Sequence, residues 1–155
     1  KSEEVALPLL EVIHEHDALG RVLVASFDES RLRRLRRLEP RLVTSVGVGA
    51  VTRLVAASQL AQPARRFLVP GPLEGVWAVQ VPEKMGAIRV VDRRFVATAH
   101  ALGCAVHVWT VNEEEQMHRL LDLGVDGIIT DYPTRARKVL EERGQWYPIA
   151  PANAE

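Results

Sequence analysis

The sequence has little cysteine, few aromatic residues and no net charge. Cys104 is the single cysteine among 155 residues, which excludes an internal disulfide and a multi-cysteine zinc site. Twenty Lys and Arg balance twenty Asp and Glu, so no long-range field attracts nucleic acid or anionic lipid. No apolar stretch approaches the roughly 20 residues that cross a bilayer. These absences predict a cytoplasmic protein with no nucleic-acid partner and no membrane span.

The start of the chain also lacks the usual signals. Lys1 comes first, without a methionine, a charged n-region or an apolar h-region. We therefore expect a piece of a longer protein. With 155 residues, 47% of them apolar, the chain is long enough for one core and too short for two full domains.

Short β-branched runs alternate with amphipathic helical segments along the chain, which predicts βα units and a parallel sheet. The predicted strands cover residues 22–27, 42–46, 76–81, 106–111 and 127–130. A helix is expected over 3–15, with no strand before it. The segment 62–75 is rich in proline and glycine and predicts an irregular excursion rather than a domain boundary.

Polar and aromatic residues recur where the predicted strands end. They are Ser26, Phe27, Asp28, Gln80, Trp109, Thr110, Asn112, Thr130 and Asp131. In parallel βα architectures this edge forms the ligand crevice, so the recurrence indicates a binding site. Asp28, Asn112 and Asp131 also precede predicted helices, and N-capping is the favoured interpretation for these three. Asn112 has Glu115 three residues later, as in a capping box.

Two further motifs have two interpretations each. Gly47 and Gly49 lie between a strand and a helix and could cradle a phosphate, but a turn with positive φ is favoured. Thr52 occupies the place of the third glycine of a dinucleotide fingerprint, which argues against a nicotinamide site. The arginine-rich run 31–38 could bind phosphate, but the solvated face of an outer helix is favoured.

The histidines show no metal-ligand spacing. His107 shares one strand face with Trp109 and Val111, so it lies deeper than Trp109 if that tryptophan faces a pocket. Cys104 is interpreted as a small buried apolar residue.

Two segments together resemble the glycerophosphodiester phosphodiesterases. Residues 106–140, VHVWTVNEEEQMHRLLDLGVDGIITDYPTRARKVL, are similar to the closing segment of that family, with WTVN, GVDGIITD and the following proline at the family's spacing. Residues 22–42, VLVASFDESRLRRLRRLEPRL, are similar to its SF-containing strand and the helix after it. The resemblance covers most of 22–140.

The resemblance implies an α/β fold in which parallel βα units form the C-terminal half of a TIM (βα)8 barrel. At about 250 residues for a typical barrel, roughly a hundred would be absent, all from the N-terminal side. The family's HRG, E-x-D and H-D segments, which supply two histidines and metal-binding carboxylates, are expected to belong to this absent part. Residues 1–144 are expected to be the half barrel and 145–155 an extended tail.

The activity implied by the resemblance is metal-dependent hydrolysis of a glycerophosphodiester to glycerol 3-phosphate and an alcohol. The complete protein would hold Mg²⁺ or Ca²⁺, and this chain alone would hold no metal and be inactive. Lys1 stands where the lysine of the family's E/D-x-K strand belongs and would lie near the phosphoryl oxygens. Trp109 and Phe27 would form apolar walls against the glycerol carbons, and Gln80 would make a polar contact.

The open strand edges of a half barrel need a partner, either the missing N-terminal half or a second copy. A different class of function stays open beside the enzyme. A non-catalytic α/β module could use the same crevice to bind a small phosphorylated ligand, or dimerise through its open edges.

Overall fold

Helices and short parallel strands alternate in the computed structural model, which describes residues 5–60 and 75–147. The elements are α1 (Ala6–Glu15), a 3-10 turn (Leu19–Arg21), α2 (Glu29–Leu38), α3 (Val48–Ser58), β1 (Ala78–Pro82), β2 (Lys84–Met85), β3 (Ile88–Arg89), α4 (Arg93–Ala101), β4 (Ala105–Trp109), α5 (Glu114–Asp122), β5 (Gly127–Ile128) and α6 (Pro133–Glu142). Most of the predicted excursion 62–75 and most of the predicted tail 145–155 lie outside the described residues. None of the described helices is long and apolar enough to span a membrane.

Five parallel segments lie side by side in chain order. β1, β4 and β5 form a parallel sheet, and single bridges join Val24 to Thr44 and Thr44 to Val76. All five predicted strand positions are therefore confirmed, but 22–27 and 42–46 are each reduced to one bridging residue, Val24 and Thr44. The reason is that the chain leaves the sheet early, since the Val48 amide donates to the Phe27 carbonyl instead of continuing a ladder.

The main core lies between this sheet and the helices that follow its strands. Val79, Val81, Val106 and Val108 are fully buried there, and the intervening strand residues face the opposite side. The predicted alternation ends with β4 at Trp109, and the next peptide bond is cis. Val111, expected on the face of His107 and Trp109, instead joins the same buried cluster as Val106.

A second apolar cluster joins α1 to α2. Ala6, Leu10 and Ile13 pack against Leu35 and Leu42. The predicted outer position of α2 is confirmed by this packing, which leaves Arg33 and Arg37 exposed. Arg36 does not belong to a solvated face, because its guanidinium donates to Glu29 Oε1 at 2.7 Å and to Thr44 Oγ1 at 2.5 Å.

The ends of the helices follow several sequence signals. The Asp28 carboxylate accepts from the Ser30 amide at 2.8 Å, which confirms the predicted N-cap of α2. Pro133 is the first residue of α6, where its missing amide hydrogen costs nothing. Gly103 and Gly124 follow α4 and α5 with φ of 75° and 91°, a conformation that favours glycine.

Gly47 is required for close packing rather than for a positive φ, so that prediction was wrong. Its φ is −79°, and a Cβ there would lie 2.7 Å from the Glu29 backbone nitrogen. Its amide donates to Glu29 Oε2 at 2.7 Å, so this hydrogen is not available to a phosphate.

We expect Gly47→Ala to destabilise the protein by about 1–3 kcal/mol, because the new methyl group overlaps the α2 backbone. Gly49→Ala is the matched control, since a Cβ there meets nothing within 4 Å. Because Gly49 lies within α3, that control should be neutral or stabilising by up to about 1 kcal/mol. Urea unfolding measures both variants, and equal effects would contradict the packing argument.

An ion pair between the buried Glu83 carboxylate and the exposed Arg119 guanidinium joins the end of β1 to α5. Glu83 accepts from Arg119 at 2.8 and 3.1 Å and from Gln116 at 2.5 Å. The Arg119 hydrogen bonds hold the pKa of Glu83 below its ordinary value of 4.5. The unfolded carboxylate therefore takes up a proton at a higher pH than the folded one, and the stabilisation is present above pH 4.5 and lost as the pH falls below it.

Glu83→Gln is expected to lower the free energy of unfolding by about 1–2 kcal/mol at pH 7, because a charged hydrogen-bond acceptor is lost. The difference from wild type should shrink as the pH falls below 4.5. Urea unfolding at several pH values measures this trend. The control is Glu141→Gln, which removes an exposed pair with Arg137 and should change stability by less than about 0.5 kcal/mol. A constant difference across the pH range would contradict the assignment.

Candidate functional site

A cavity of about 440 Å³ opens at the edge where the parallel segments end. Its lining residues are Ala25, Ser26, Phe27, Asp28, Arg31, Ser45, Val46, Gln80 and Trp109. The structure thus brings together three of the four residues predicted to contact substrate, namely Phe27, Gln80 and Trp109. The fourth, Lys1, lies outside the described residues.

Two aromatic side chains that line this cavity contact each other. The Phe27 and Trp109 rings meet edge to face, with centroids 6.0 Å apart and planes at 69°. Phe27 is 69% exposed, which is unusual for a large apolar side chain and typical of a binding surface. Together the rings give the cavity apolar walls suited to carbon-rich parts of a ligand.

A polar network supports the turn that carries Phe27. Ser26 Oγ accepts from the Asp28 amide and from Arg31 Nη1, both at 3.1 Å. Ser30 donates to Asp28 through its amide and its hydroxyl, and these hydrogen bonds lower the pKa of Asp28. Phe27 therefore lies on a turn whose flanking residues are fixed.

Sequence reasoning missed Arg31 and Ser45 as cavity residues. Arg31 was assigned with its neighbours to the solvated face of an outer helix, yet it lines the cavity. The sequence contained a signal for the position of Arg31. It lies four residues before the buried Leu35, and this helical spacing places it on the inner side of α2.

A second layer of side chains lies below the cavity. His107 is two residues before Trp109 on β4 and pairs in register with Gln80. The Gln80 Nε2 and His107 Nδ1 atoms are 3.4 Å apart, and the Trp77 ring meets the imidazole edge to face at 6.2 Å. Burial lowers the pKa of His107, against a smaller opposing effect of Asp126, which favours the neutral ring. His107 supports Gln80 from below.

The described residues do not fit a divalent metal site. Within 5–60 and 75–147, no group of three or more His, Cys, Asp or Glu side chains is placed to hold an ion. Mg²⁺ and Ca²⁺ need several oxygen ligands, whereas the cavity lining contains one carboxylate, Asp28, which already accepts from Ser30. Cys104 is buried, and burial raises the pKa of its thiol, so it is not a reactive nucleophile.

Asn112 and Asp131 do not cap helices, so that prediction was wrong. The residue before α5 is Glu113 and the residue before α6 is Tyr132, and neither makes a side-chain cap. Asn112 instead bonds to the loop after β5, where its Nδ2 donates to Asp131 Oδ2 at 3.0 Å. The neighbouring strand ends bring the two residues together, and a linear sequence does not display that proximity.

The comparisons with known proteins identify the class. The Glycerophosphoryl diester phosphodiesterase family matches residues 1–135, and the chain belongs to this family. A Mycobacterium tuberculosis protein named "Probable glycerophosphodiester phosphodiesterase 2" is 40% identical over 147 residues, covering 94% of this chain and 54% of that protein. A glycerophosphodiester phosphodiesterase of Bacillus subtilis is 31% identical over 130 residues, covering 83% of this chain and 39% of that protein.

Solved structures give the same fold. A crystal structure of a "Putative glycerophosphoryl diester phosphodiesterase" from Silicibacter pomeroyi matches with a TM-score of 0.70 and 27% identity, covering 94% of this chain and 46% of that one. A glycerophosphodiester phosphodiesterase from Parabacteroides distasonis matches with a TM-score of 0.67 and 23% identity, covering 92% and 52%. The chain spans about half the length of these relatives, and the predicted half of a (βα)8 barrel is confirmed.

Proposed function

We propose that the complete protein hydrolyses glycerophosphodiesters to glycerol 3-phosphate and an alcohol, and that this chain supplies a wall of the substrate site. The observation that carries the proposal is the cavity at the carboxyl edge of the parallel strands, lined by the Phe27 and Trp109 rings, which meet edge to face at 6.0 Å. In (βα)8 barrels this edge is where substrates bind. Membership of the phosphodiesterase family supports the reaction class.

Each proposed contact has a distinct task. Phe27 and Trp109 pack against the glycerol carbons, and their rings exclude water and orient the diester. The Gln80 amide, placed 3.4 Å from His107, offers a polar contact to a substrate oxygen. Lys1 is proposed to place its ammonium group near the phosphoryl oxygens, as the family resemblance implies.

We further propose that the complete protein requires Mg²⁺ or Ca²⁺ and that its ligands lie outside this chain. The length of the chain supports this assignment, since it spans about half of its relatives. The N-terminal half of the barrel, or a second copy, is proposed to cover the open strand edges. The boundaries 1–144 for the half barrel and 145–155 for the tail, and a cytoplasmic location, stay predictions.

The direct test is an assay of the complete protein with glycerophosphocholine and glycerophosphoethanolamine in the presence of Mg²⁺ or Ca²⁺. We expect release of glycerol 3-phosphate, detected with a coupled dehydrogenase. Binding of glycerol 3-phosphate without any hydrolysis would instead support the non-catalytic module. Absence of both would contradict a substrate site at this cavity.

A further inference from the structure

We propose that Asn112 and Asp131 form a clasp that positions Trp109 against the substrate, an inference that rests on the proposed function. Asn112 Oδ1 accepts from the Asp131 amide at 3.0 Å and from Thr130 Oγ1 at 3.1 Å. Asn112 Nδ2 donates to Asp131 Oδ2 at 3.0 Å. The Asn112 side chain therefore joins the loop that follows Trp109 to the loop after β5 through three hydrogen bonds.

The backbone transmits this constraint to the tryptophan. The Ile129 amide donates to the Val108 carbonyl at 2.9 Å, and the Val111 amide donates to the Ile129 carbonyl at 3.0 Å. Trp109 lies between these two anchors, and Asn112 is the next residue beyond the second. A shift of Asn112 away from β5 would loosen the second anchor and let the indole ring move.

Arg135 completes the clasp from α6. Its Nη1 donates to the Asn112 carbonyl, and its guanidinium lies 4.6 Å from the centroid of the Tyr132 ring. The backbone and the side chain of Asn112 are thus both held by the segment 130–135. Thr130, Asp131 and Arg135 thus all form hydrogen bonds with Asn112.

The location of the clasp favours a positioning role over a stabilising one. Asp131 is exposed and Asn112 is half-buried, and neither belongs to an apolar cluster of the core. Exposed polar contacts of this kind add little to the free energy of unfolding. They join two loops at the cavity edge, so their main effect is on the geometry of Trp109.

Exchanging the two side chains gives a sharp test. Asn112→Asp places a carboxylate against the Asp131 carboxylate and should break the clasp. The double variant Asn112→Asp with Asp131→Asn restores an amide–carboxylate pair with the donor and acceptor reversed. In the complete protein we expect the single variant to raise KM by about tenfold with a smaller change in kcat, and the double variant to return KM to within about threefold of wild type.

A second readout does not depend on activity. With every other tryptophan of the protein replaced by phenylalanine, acrylamide quenching reports the accessibility of Trp109 alone. Quenching should increase in Asn112→Asp and return in the double variant. If the wild type is inactive but quenching follows this pattern, the proposed function fails and the positioning role stands.

Several results would overturn the inference. Unchanged KM and unchanged quenching in a folded Asn112→Asp protein would do so, as would a loss of thermal stability and kcat with neither of those two changed. Failure of the double variant to recover would also contradict the paired arrangement. If Asn112→Asp does not fold, Thr130→Val removes the hydrogen bond to Asn112 Oδ1, together with the one that Thr130 Oγ1 accepts from the Tyr132 amide, and should raise both KM and quenching by about twofold. No change in that variant would count against the clasp.

Discussion

Replacing Trp109 by alanine is expected to lower kcat/KM of the complete protein by about 10- to 100-fold, because an apolar wall worth roughly 1.5–3 kcal/mol of burial is lost. Stability should change less, since Trp109 faces the cavity and is not part of the buried core. Steady-state kinetics and thermal unfolding of the same preparation separate the two effects. Trp109→Phe retains an apolar wall and should lose less activity than the alanine variant.

Trp146→Ala is the matched control for this experiment. Trp146 stacks against the Arg137 guanidinium at 5.3 Å, follows α6 and does not line the cavity. Its removal should leave kcat/KM unchanged within about twofold. If Trp109→Ala unfolds the protein more than it impairs substrate use, Trp109 is a packing residue and the wall assignment is wrong.

The second large effect concerns the chain on its own. Residues 1–155 should release no glycerol 3-phosphate with Mg²⁺ or Ca²⁺ present, whereas the complete protein should be active and lose activity when a chelator removes the ion. The physical reason is that the described residues offer a hard divalent cation no set of oxygen ligands.

Circular dichroism of the isolated chain is the control that separates an inactive fold from an unfolded chain. Adding back the preceding polypeptide should restore hydrolysis if the two parts assemble. Metal-stimulated hydrolysis by the isolated chain would show that its own residues form the catalytic centre. The proposal that the metal ligands lie outside this chain would then be wrong.

Local sequence signals predicted the fold well where the residues that define a helix and its ends lie within one segment. The leucine spacing of Leu32 and Leu35 and the Asp28 cap define α2, and Gly124 marks the end of α5. The reduction of 22–27 and 42–46 to one bridging residue each was not predictable in this way. It accompanies hydrogen bonds of Phe27 and Gly47 to the first residues of α3 and α2, which lie far from them in the sequence.

In the candidate site, too, some residues could be placed from the sequence and others could not. Phe27, Gln80 and Trp109 could be placed at one edge because the ends of parallel strands meet there, and the structure places them around one cavity. Their role in binding stays a prediction. Asn112 and Asp131 were misassigned because the side-chain types that cap helices also bond across loops. Which partner such a residue bonds depends on the neighbouring loop, and spacing along the chain does not specify it.

The most direct measurement is a crystal structure of the complete protein with glycerol 3-phosphate and a divalent cation. We expect the glycerol carbons to lie against the Phe27 and Trp109 rings, with the cation held by side chains from outside residues 1–155. A cation chelated solely by side chains of this chain, or a product molecule bound away from the two rings, would contradict it.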